Sequence, residues 1–177
     1  YGKSNLFTFT ISSNQLNADL RTLAVNAGWN QSAPVIATVA AGVYIYSTST
    51  ASAALVISGS WPGGVTLVNN GYIMGQGGNG SNAPSNTASS GGPAISLGVS
   101  CTINNTNASA YIGGGGGGGG GSSGNGISSG GGGGGGAGGG TGGSAYTAVG
   151  SSGQYGFLYA AGGAGGGLGA TGGNGQA

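Results

Sequence analysis

Residues 65–78 read VTLVNNGYIMGQGG, and residues 101–115 read CTINNTNASAYIGGG. Both stretches begin with a short strand pattern, continue through an asparagine-rich corner to the pair Tyr-Ile, and end in glycine. A unit of this kind cannot bury its apolar residues alone, so each copy is expected to stack on the other. The two stretches therefore predict stacked strand–corner units that lead directly into glycine tracts.

Glycine makes up 49 of the 177 residues, and its longest runs are residues 113–121 and 130–136. An extended glycine helix with three residues per turn has no internal hydrogen bonds, so each N–H and C=O needs a partner on a neighbouring chain. Side-by-side packing supplies these partners, whereas an isolated tract would not offset an ordering cost of about 1–2 kcal/mol per residue. We therefore predict a bundle of polyglycine II helices, which Gly117→Val disrupts if that run is interior.

Three insertions interrupt the glycine tracts, at residues 81–90, 122–129 and 144–161. The last insertion holds four aromatic residues, which a simple spacer does not need. Aromatic side chains provide a large and rigid contact area at low cost in conformational entropy. Two interpretations stay open: these residues form a contact surface, or they form a small core that caps the bundle. On the first interpretation, the predicted binding residues are Tyr146, Tyr155, Phe157 and Tyr159.

The direction of the chain favours a second choice of binding residues. If the first long glycine run leaves the β-rich body, insertion 122–129 turns at the far end and the next tract returns. The aromatic insertion would then lie near the body, unless the chain bends near Ala137 or Thr141. On this reasoning the alternative binding residues are Asn125 and Ile127.

The first third of the chain has the patterns of an ordinary globular protein. Residues 6–11 alternate as a strand does. The next stretch places apolar residues on one helical face and predicts an α-helix at about 15–27, with Asn14 or Asn17 as the N-cap and Gly28 at C′. Short strand patterns then recur at roughly ten-residue spacing, which suits a β-sandwich or a β-solenoid. These patterns lie at residues 35–40, 43–47, 54–58 and 65–68.

Together these patterns predict a mainly β protein with one short α-helix. Its body is a short-strand β-sandwich or solenoid, followed by a bundle of polyglycine II helices. We expect a β-rich body with the helix at 1–64, strand and asparagine-corner repeats at 65–112, and a polyglycine-helix bundle with variable loops at 113–177. The chain does not begin with Met and ends within a glycine-rich tract, which suggests a piece of a longer protein.

Charged residues are almost absent. Lys3, Asp19 and Arg21 are the only ones, and the chain has no histidine. With so few cations the protein lacks the means to neutralise nucleic-acid phosphates or to bind an anionic membrane surface. Residues 35–46 are the longest apolar stretch, and they are too few to span a bilayer. We therefore expect neither nucleic-acid binding nor membrane insertion.

The composition also argues against catalytic and metal sites. One Asp, no Glu and no His cannot form paired carboxylates or a metal-ligand cluster, so we expect no enzyme activity, no cofactor and no metal. Residues 75–80 fit G-x-G-x-x-G, but the helix and the acidic residue that dinucleotide binding needs do not follow. Residues 126–130 fit G-x-S-x-G, but a nucleophile elbow needs a His base. Both matches are expected by chance in a chain rich in Gly and Ser.

About half of the chain resembles the C-terminal regions of bacteriophage tail-fibre and tail-tip proteins. The glycine runs with variable loops between them are also similar to the distal adhesins of T-even long tail fibres. The resemblance implies that glycine helices pack into a sandwich, and that loops at its tip contact a Gram-negative outer-membrane protein or lipopolysaccharide. It carries over loop positions only, with no catalytic residues. The matching stretches are LFTFTISSNQLNADLRTLAVNAGW (6–29), GVYIYS (42–47), ISGSWPGGVTLVNNGYIMGQGG (57–78) and INNTNASAYIGGGGGGGGG (103–121).

The resemblance implies a receptor-binding, host-recognition module of a phage tail fibre or tail tip, on the extracellular virion. Its expected partners are a bacterial outer-membrane protein or lipopolysaccharide, together with other tail-fibre or tail-tip subunits. The six binding residues named above then become the predicted receptor-binding residues. The alternative is a structural fibre segment or assembly adaptor without receptor contact. An ice-binding glycine-helix bundle is disfavoured, because the insertions break any regular G-x-x repeat.

Overall fold

A computed structural model describes residues 5–82, 87–124, 127–142, 159–160, 163–165, 167 and 172–174. The described part of the chain is mainly β, with one short helix, as the sequence predicts. The helix, α1, spans Leu20–Asn26. The strands are β1 (Phe7–Ile11), β2 (Gln15–Leu16), β3 (Ala18–Asp19), β4 (Val35–Val39), β5 (Tyr44–Tyr46), β6 (Leu55–Ile57), β7 (Val65–Asn69), β8 (Tyr72–Met74), β9 (Ile95–Leu97), β10 (Thr102–Asn104), β11 (Tyr111–Gly113), β12 (Ser122–Gly124), β13 (Ile127–Ser129) and β14 (Tyr159–Ala160).

The first eleven strands form three parallel sheets, with the orders β1-β4-β7-β10, β11-β8-β5-β2 and β3-β6-β9. Successive strands of the chain pass from one sheet to the next, and each new turn pairs with the turn before it. This is a parallel β-solenoid, so of the two body types that the sequence left open, the sandwich is wrong. The third turn is interrupted between β8 and β9, where the chain makes a glycine-rich excursion.

The solenoid core is built from the inward positions of these short strands. Strands β4 and β7 alternate between buried and half-buried residues, which is the period-two pattern of a sheet with one face inside. The residues that close the core are fully buried and apolar. The largest of them are Leu20, Ile45, Leu55, Ile57, Leu67, Ile73, Val35 and Val39.

The predicted stacking of the two strand–corner units is confirmed. Strand β10 pairs with β7 and strand β11 pairs with β8, in a register that sets Tyr111 beside Tyr72 and Ile112 beside Ile73. The Tyr72 ring also stacks on Tyr44, with 4.8 Å between the ring centroids. Each Tyr-Ile pair thus places its isoleucine toward the core and its tyrosine on the outside.

Helix α1 is shorter than the predicted 15–27. Strands β2 and β3 occupy the first residues of that stretch, because they complete the first solenoid turn by pairing with β5 and β6. The N-cap is Asp19, whose carboxylate accepts from the Thr22 N–H at 2.7 Å, so the expected Asn14 or Asn17 cap is wrong. Gly28 follows the helix with φ +102°, a conformation that suits the expected C′ glycine.

Strand pairing continues across the boundary expected at residue 64. Strand β6 lies before it and strand β9 after it, yet the two pair, and their apolar residues belong to one core cluster. The division into 1–64, 65–112 and 113–177 stays a sequence-based prediction.

Candidate functional site

Two glycine tracts leave the solenoid side by side. One starts at Gly75, directly after β8, and the other at Gly113, the last residue of β11. Gly75 donates its N–H to the Gly113 carbonyl at 3.0 Å, Gly78 donates to Gly116 at 2.8 Å, and Ser81 donates to Gly119 at 3.1 Å. The bonds recur every third residue on both tracts, so the tracts run parallel and in register away from the solenoid.

Other tracts run back toward the solenoid. The N–H groups of Gly131, Gly134 and Ala137 donate to the carbonyls of Ser81, Gly78 and Gly75 respectively, at 2.9, 2.7 and 2.7 Å. The partner numbers fall as the donor numbers rise, so this tract is antiparallel to the first one. Residues 89–92 run back in the same way, with Gly118 N–H donating to the Ser89 carbonyl at 2.9 Å.

We call this assembly of tracts 75–82, 87–93, 113–121, 130–142 and 163–165 the glycine lattice. Its base lies at the solenoid, and its distal end is the opposite end. The hairpin of β12 and β13 connects an outgoing tract to a returning one, so it lies at the distal end. Residues 82 and 87 both lie within the first insertion, where 82 ends an outgoing tract and 87 begins a returning tract.

The lattice repeats every third residue in its packing as well as in its hydrogen bonds. A Cβ added to Gly115 or Gly118 would overlap the carbonyl oxygen of Gln76 or Asn79, whereas a Cβ on Gly117 would meet only the Ser89 oxygen, at 3.7 Å. Gly117 is exposed, so the interior position on which the expected effect of Gly117→Val depended is not found there. Within this run, Gly115 and Gly118 are the positions that must lack a side chain.

The returning tract reverses near the base. Gly139 has φ +63°, which glycine adopts without strain. Beyond it, Gly140 donates to the Gly134 carbonyl at 2.6 Å and the Thr141 carbonyl accepts from Gly80 at 2.8 Å. Residues 140–142 thus run outward again, level with the distal half of the first tract. This reversal lies where the sequence placed a possible bend.

After residues 143–158 in the sequence, the chain runs back toward the solenoid once more. Strand β14 pairs with β13 in parallel, with Tyr159 beside Ser128. Farther along, the Gly163 carbonyl accepts from Gly133 at 2.9 Å. Because β13 starts a returning tract, β14 starts one too. The residues before and after segment 143–158 therefore both lie toward the distal end.

The chain from residue 6 to residue 177 matches the family described as phage tail fibre adhesin Gp38. The chain belongs to this family. It is a phage tail fibre adhesin, with the general role of binding a host surface and a place on the tail of the virion. No curated protein and no solved structure gives a significant match. Among the described residues of the adhesin, no helix is long and apolar enough to span a membrane.

The predicted receptor-binding residues fall largely outside the described part of the adhesin. Tyr146, Tyr155, Phe157 and Asn125 lie outside it, while Tyr159 and Ile127 have a described backbone in β14 and β13. The pairing of these two strands brings together the two segments from which the alternative sets of residues came. The described ends of the two insertions therefore lie at one end of the lattice.

Sequence reasoning missed three polar side chains inside the lattice. Gln76 donates through Nε2 to the Gly139 carbonyl at 2.8 Å, and Asn79 accepts through Oδ1 from the Thr141 N–H at 2.9 Å. The Ser81 hydroxyl accepts from the Gly121 N–H. The signal was the spacing of three between Gln76 and Asn79, within the stretch that also fits G-x-G-x-x-G.

A cavity among the described residues of the adhesin lies on the solenoid, away from the lattice. It measures about 630 Å³ and is lined mainly by apolar residues and backbone, including Leu6, Val35, Leu97 and Val99. Its one titratable group is Cys101, and burial raises the pKa of this thiol, against a smaller opposing effect of a backbone hydrogen bond. A protonated thiol in apolar surroundings is unreactive. The described residues hold no cluster of metal-binding side chains.

Proposed function

We propose that the adhesin recognises a bacterial outer-membrane protein or lipopolysaccharide through loops at the distal end of its lattice. The observation that carries this proposal is the parallel pairing of β13 with β14. It supports a tip to which both the hairpin segment and the aromatic segment contribute. Loops on a rigid scaffold are the usual location of recognition surfaces.

The scaffold, on this proposal, is a bundle of polyglycine II helices. Two independent features support it: hydrogen bonds that recur every third residue, and a requirement for glycine that also recurs every third residue. A helix of three residues per turn presents the same side to a neighbour at that interval. A β-strand alternates with a period of two, and would not give this pattern.

The aromatic residues Tyr146, Tyr155, Phe157 and Tyr159 are the main receptor contacts on this proposal, with Asn125 and Ile127 as the second choice. Buried aromatic anchors commonly supply most of the binding energy at an interface. Recognition proceeds without catalysis, cofactor or metal. The contact is also nearly free of charge, because the chain carries no charged residue beyond Arg21.

Binding to host outer-membrane vesicles tests the proposal. A Tyr155→Ala/Phe157→Ala variant is expected to bind at least about ten-fold more weakly, since losing two anchors removes more than the 1.4 kcal/mol that a factor of ten represents. The matched control is Tyr111→Ala, which truncates a tyrosine that is 49% exposed on the solenoid. The control should bind as the wild type does.

Three outcomes are informative. Vesicles treated with protease and vesicles with truncated lipopolysaccharide separate the two receptor classes. If the double variant binds normally but melts at a lower temperature, the aromatic residues form a cap and the contact lies elsewhere. If the wild-type adhesin binds no vesicles yet is needed for fibre assembly, the alternative of a structural segment or adaptor is correct.

A further inference from the structure

Gln76 and Asn79 lie on one side of the first glycine tract, three residues apart. Both side chains are directed at the reversal of the returning tract, and they bond to Gly139 and Thr141 respectively. We propose that Gln76 and Asn79 are positioning residues, which fix this reversal and so direct residues 140–142 toward the distal end. The consequence for host binding rests on the function proposed above.

The two side chains supply bonds that the backbone does not. In the described part of the chain, the Gly139 carbonyl and the Thr141 N–H have no backbone partner. Gln76 provides the donor that the carbonyl needs, and Asn79 provides the acceptor that the N–H needs. The Gln76–Gly139 bond is partly buried, where backbone groups are almost always paired, whereas the Asn79–Thr141 bond is exposed. Together the two side chains complete the hydrogen bonding of the reversal.

The packing of Gln76 supports the same role. A Cβ on Gly138 would overlap the Gln76 carboxamide, so the side chain lies directly against the turning backbone. Its Oε1 is buried and accepts no hydrogen bond among the described residues. A buried polar atom without a partner needs an explanation. Here the amide is oriented so that Nε2 reaches the Gly139 carbonyl. This orientation leaves Oε1 without a hydrogen-bond donor among the described residues.

The reversal decides the direction of residues 140–142. Tract 130–137 runs back to the level of Gly75, so a chain that continued without turning would stay at the base. The outward run of residues 140–142 takes it to the level of Gly80 instead. Asn79 acts on Thr141, within this outward run. Two side chains of an early tract thus bond to a reversal more than sixty positions later.

Site-resolved amide hydrogen exchange of the whole chain tests the proposal. Asn79→Ala is expected to raise the exchange rate of the Thr141 amide at least about ten-fold, because it removes the only acceptor described for that amide. Asn79→Asp keeps an acceptor oxygen and should restore slow exchange. The amides of Gly116 and Gly119, which bond to Gly135 and Gly132, should keep their wild-type rates in both variants.

Two variants of Gln76 test the hydrogen-bond donor at the same reversal. Gln76→Glu keeps the shape but replaces the donor with an acceptor, so it should open the reversal. Gln76→Met keeps the bulk against Gly138 but removes the donor, and should open it too. Asn26→Ala, at an exposed position on the solenoid helix, is the matched control and should change nothing. If an alanine variant fails to fold, the contrast between Asn79→Asp and Gln76→Glu decides the proposal.

Vesicle binding is measured on the same variants. We expect Asn79→Ala to bind more weakly at an unchanged melting temperature, and Asn79→Asp to recover binding. Unchanged exchange at Thr141, or faster exchange spread over all tracts, would overturn the positioning role. Faster exchange at Thr141 with full binding would overturn its functional consequence. If the exchange results hold but the wild type binds no vesicles, the proposed function fails and the positioning role stands.

Discussion

Alanine at Gly118 is expected to destabilise the glycine lattice, and alanine at the adjacent Gly117 is not. A Cβ on Gly118 would lie 2.0 Å from the Asn79 carbonyl oxygen, whereas a Cβ on Gly117 meets its nearest atom at 3.7 Å. Neither glycine has a positive φ that alanine would resist. The pair therefore compares close packing with open space at adjacent positions of one run.

The magnitude follows from the bonds that must break. To accept the Cβ, the tract has to move more than about 1 Å away from its neighbour, since carbon and oxygen need roughly 3.4 Å. That movement breaks the flanking bonds Gly78–Gly116 and Ser81–Gly119 and strains Gly118–Ser89. At about 1–2 kcal/mol for each of the two broken bonds and up to about 1 kcal/mol for the strained one, Gly118→Ala should cost roughly 2–5 kcal/mol. Gly117→Ala should instead gain up to about 1 kcal/mol, because it restricts the unfolded chain.

Scanning calorimetry measures both variants. For a chain of this length, about 1 kcal/mol corresponds to roughly 2–4 °C in Tm, so Gly118→Ala should lower the transition by about 4–20 °C. Gly117→Ala should leave the transition unchanged or raise it slightly. Hydrogen exchange at Gly78 and Ser81 shows whether the loss is in the lattice. Equal Tm values for the two variants would refute the conclusion that Gly118 packs closely against a neighbouring tract and Gly117 does not.

Three further predictions concern the solenoid and the binding step. Asn69→Ala should cost about 2–4 kcal/mol in chemical denaturation, because the fully buried Asn69 amide bonds to Gly71, Asn105 and the Tyr111 carbonyl and its loss leaves buried groups unpaired. Cys101 should react slowly with iodoacetamide at neutral pH and rapidly after unfolding, because burial raises its pKa and keeps the thiol protonated; fast alkylation of the folded adhesin would contradict this. Vesicle binding should change less than about three-fold between roughly 0.05 and 0.5 M salt, since charge screening has few charges to act on; a steep decline would show that charged groups carry the contact.

The solenoid was partly predictable from the sequence, because its repeats show as a recurring pattern of side chains. The Tyr-Ile pairs at residues 72 and 111 lie in register, as their shared pattern indicates. The helix was less predictable, because Leu16 fits a helical face but lies in a strand and is 50% exposed. Pairing with a later turn of the solenoid decided its conformation, and a local pattern carries no information about that pairing.

The lattice was harder to predict for a different reason. A run of identical glycines carries no information on which residue of every three faces a neighbour, so Gly117 and Gly118 look alike in the sequence. A bend near Ala137 or Thr141 was among the expectations, but the positive φ of Gly139 has no distinct signal within a run of glycine. Only the side chains that border the run indicate which residue of every three faces a neighbouring tract. The spacing of Gln76 and Asn79 is the clearest such signal.

Photo-crosslinking to host outer-membrane vesicles tests the location of the receptor contact most directly. A photoreactive amino acid is placed at Ser123 in the hairpin, at Gln154 in the aromatic segment, or at Leu97, which is 53% exposed on the solenoid. We predict crosslinks to an outer-membrane protein or lipopolysaccharide from Ser123 and Gln154, and none from Leu97. Crosslinks from Leu97, with none from the other two positions, would contradict recognition at the distal end of the glycine lattice.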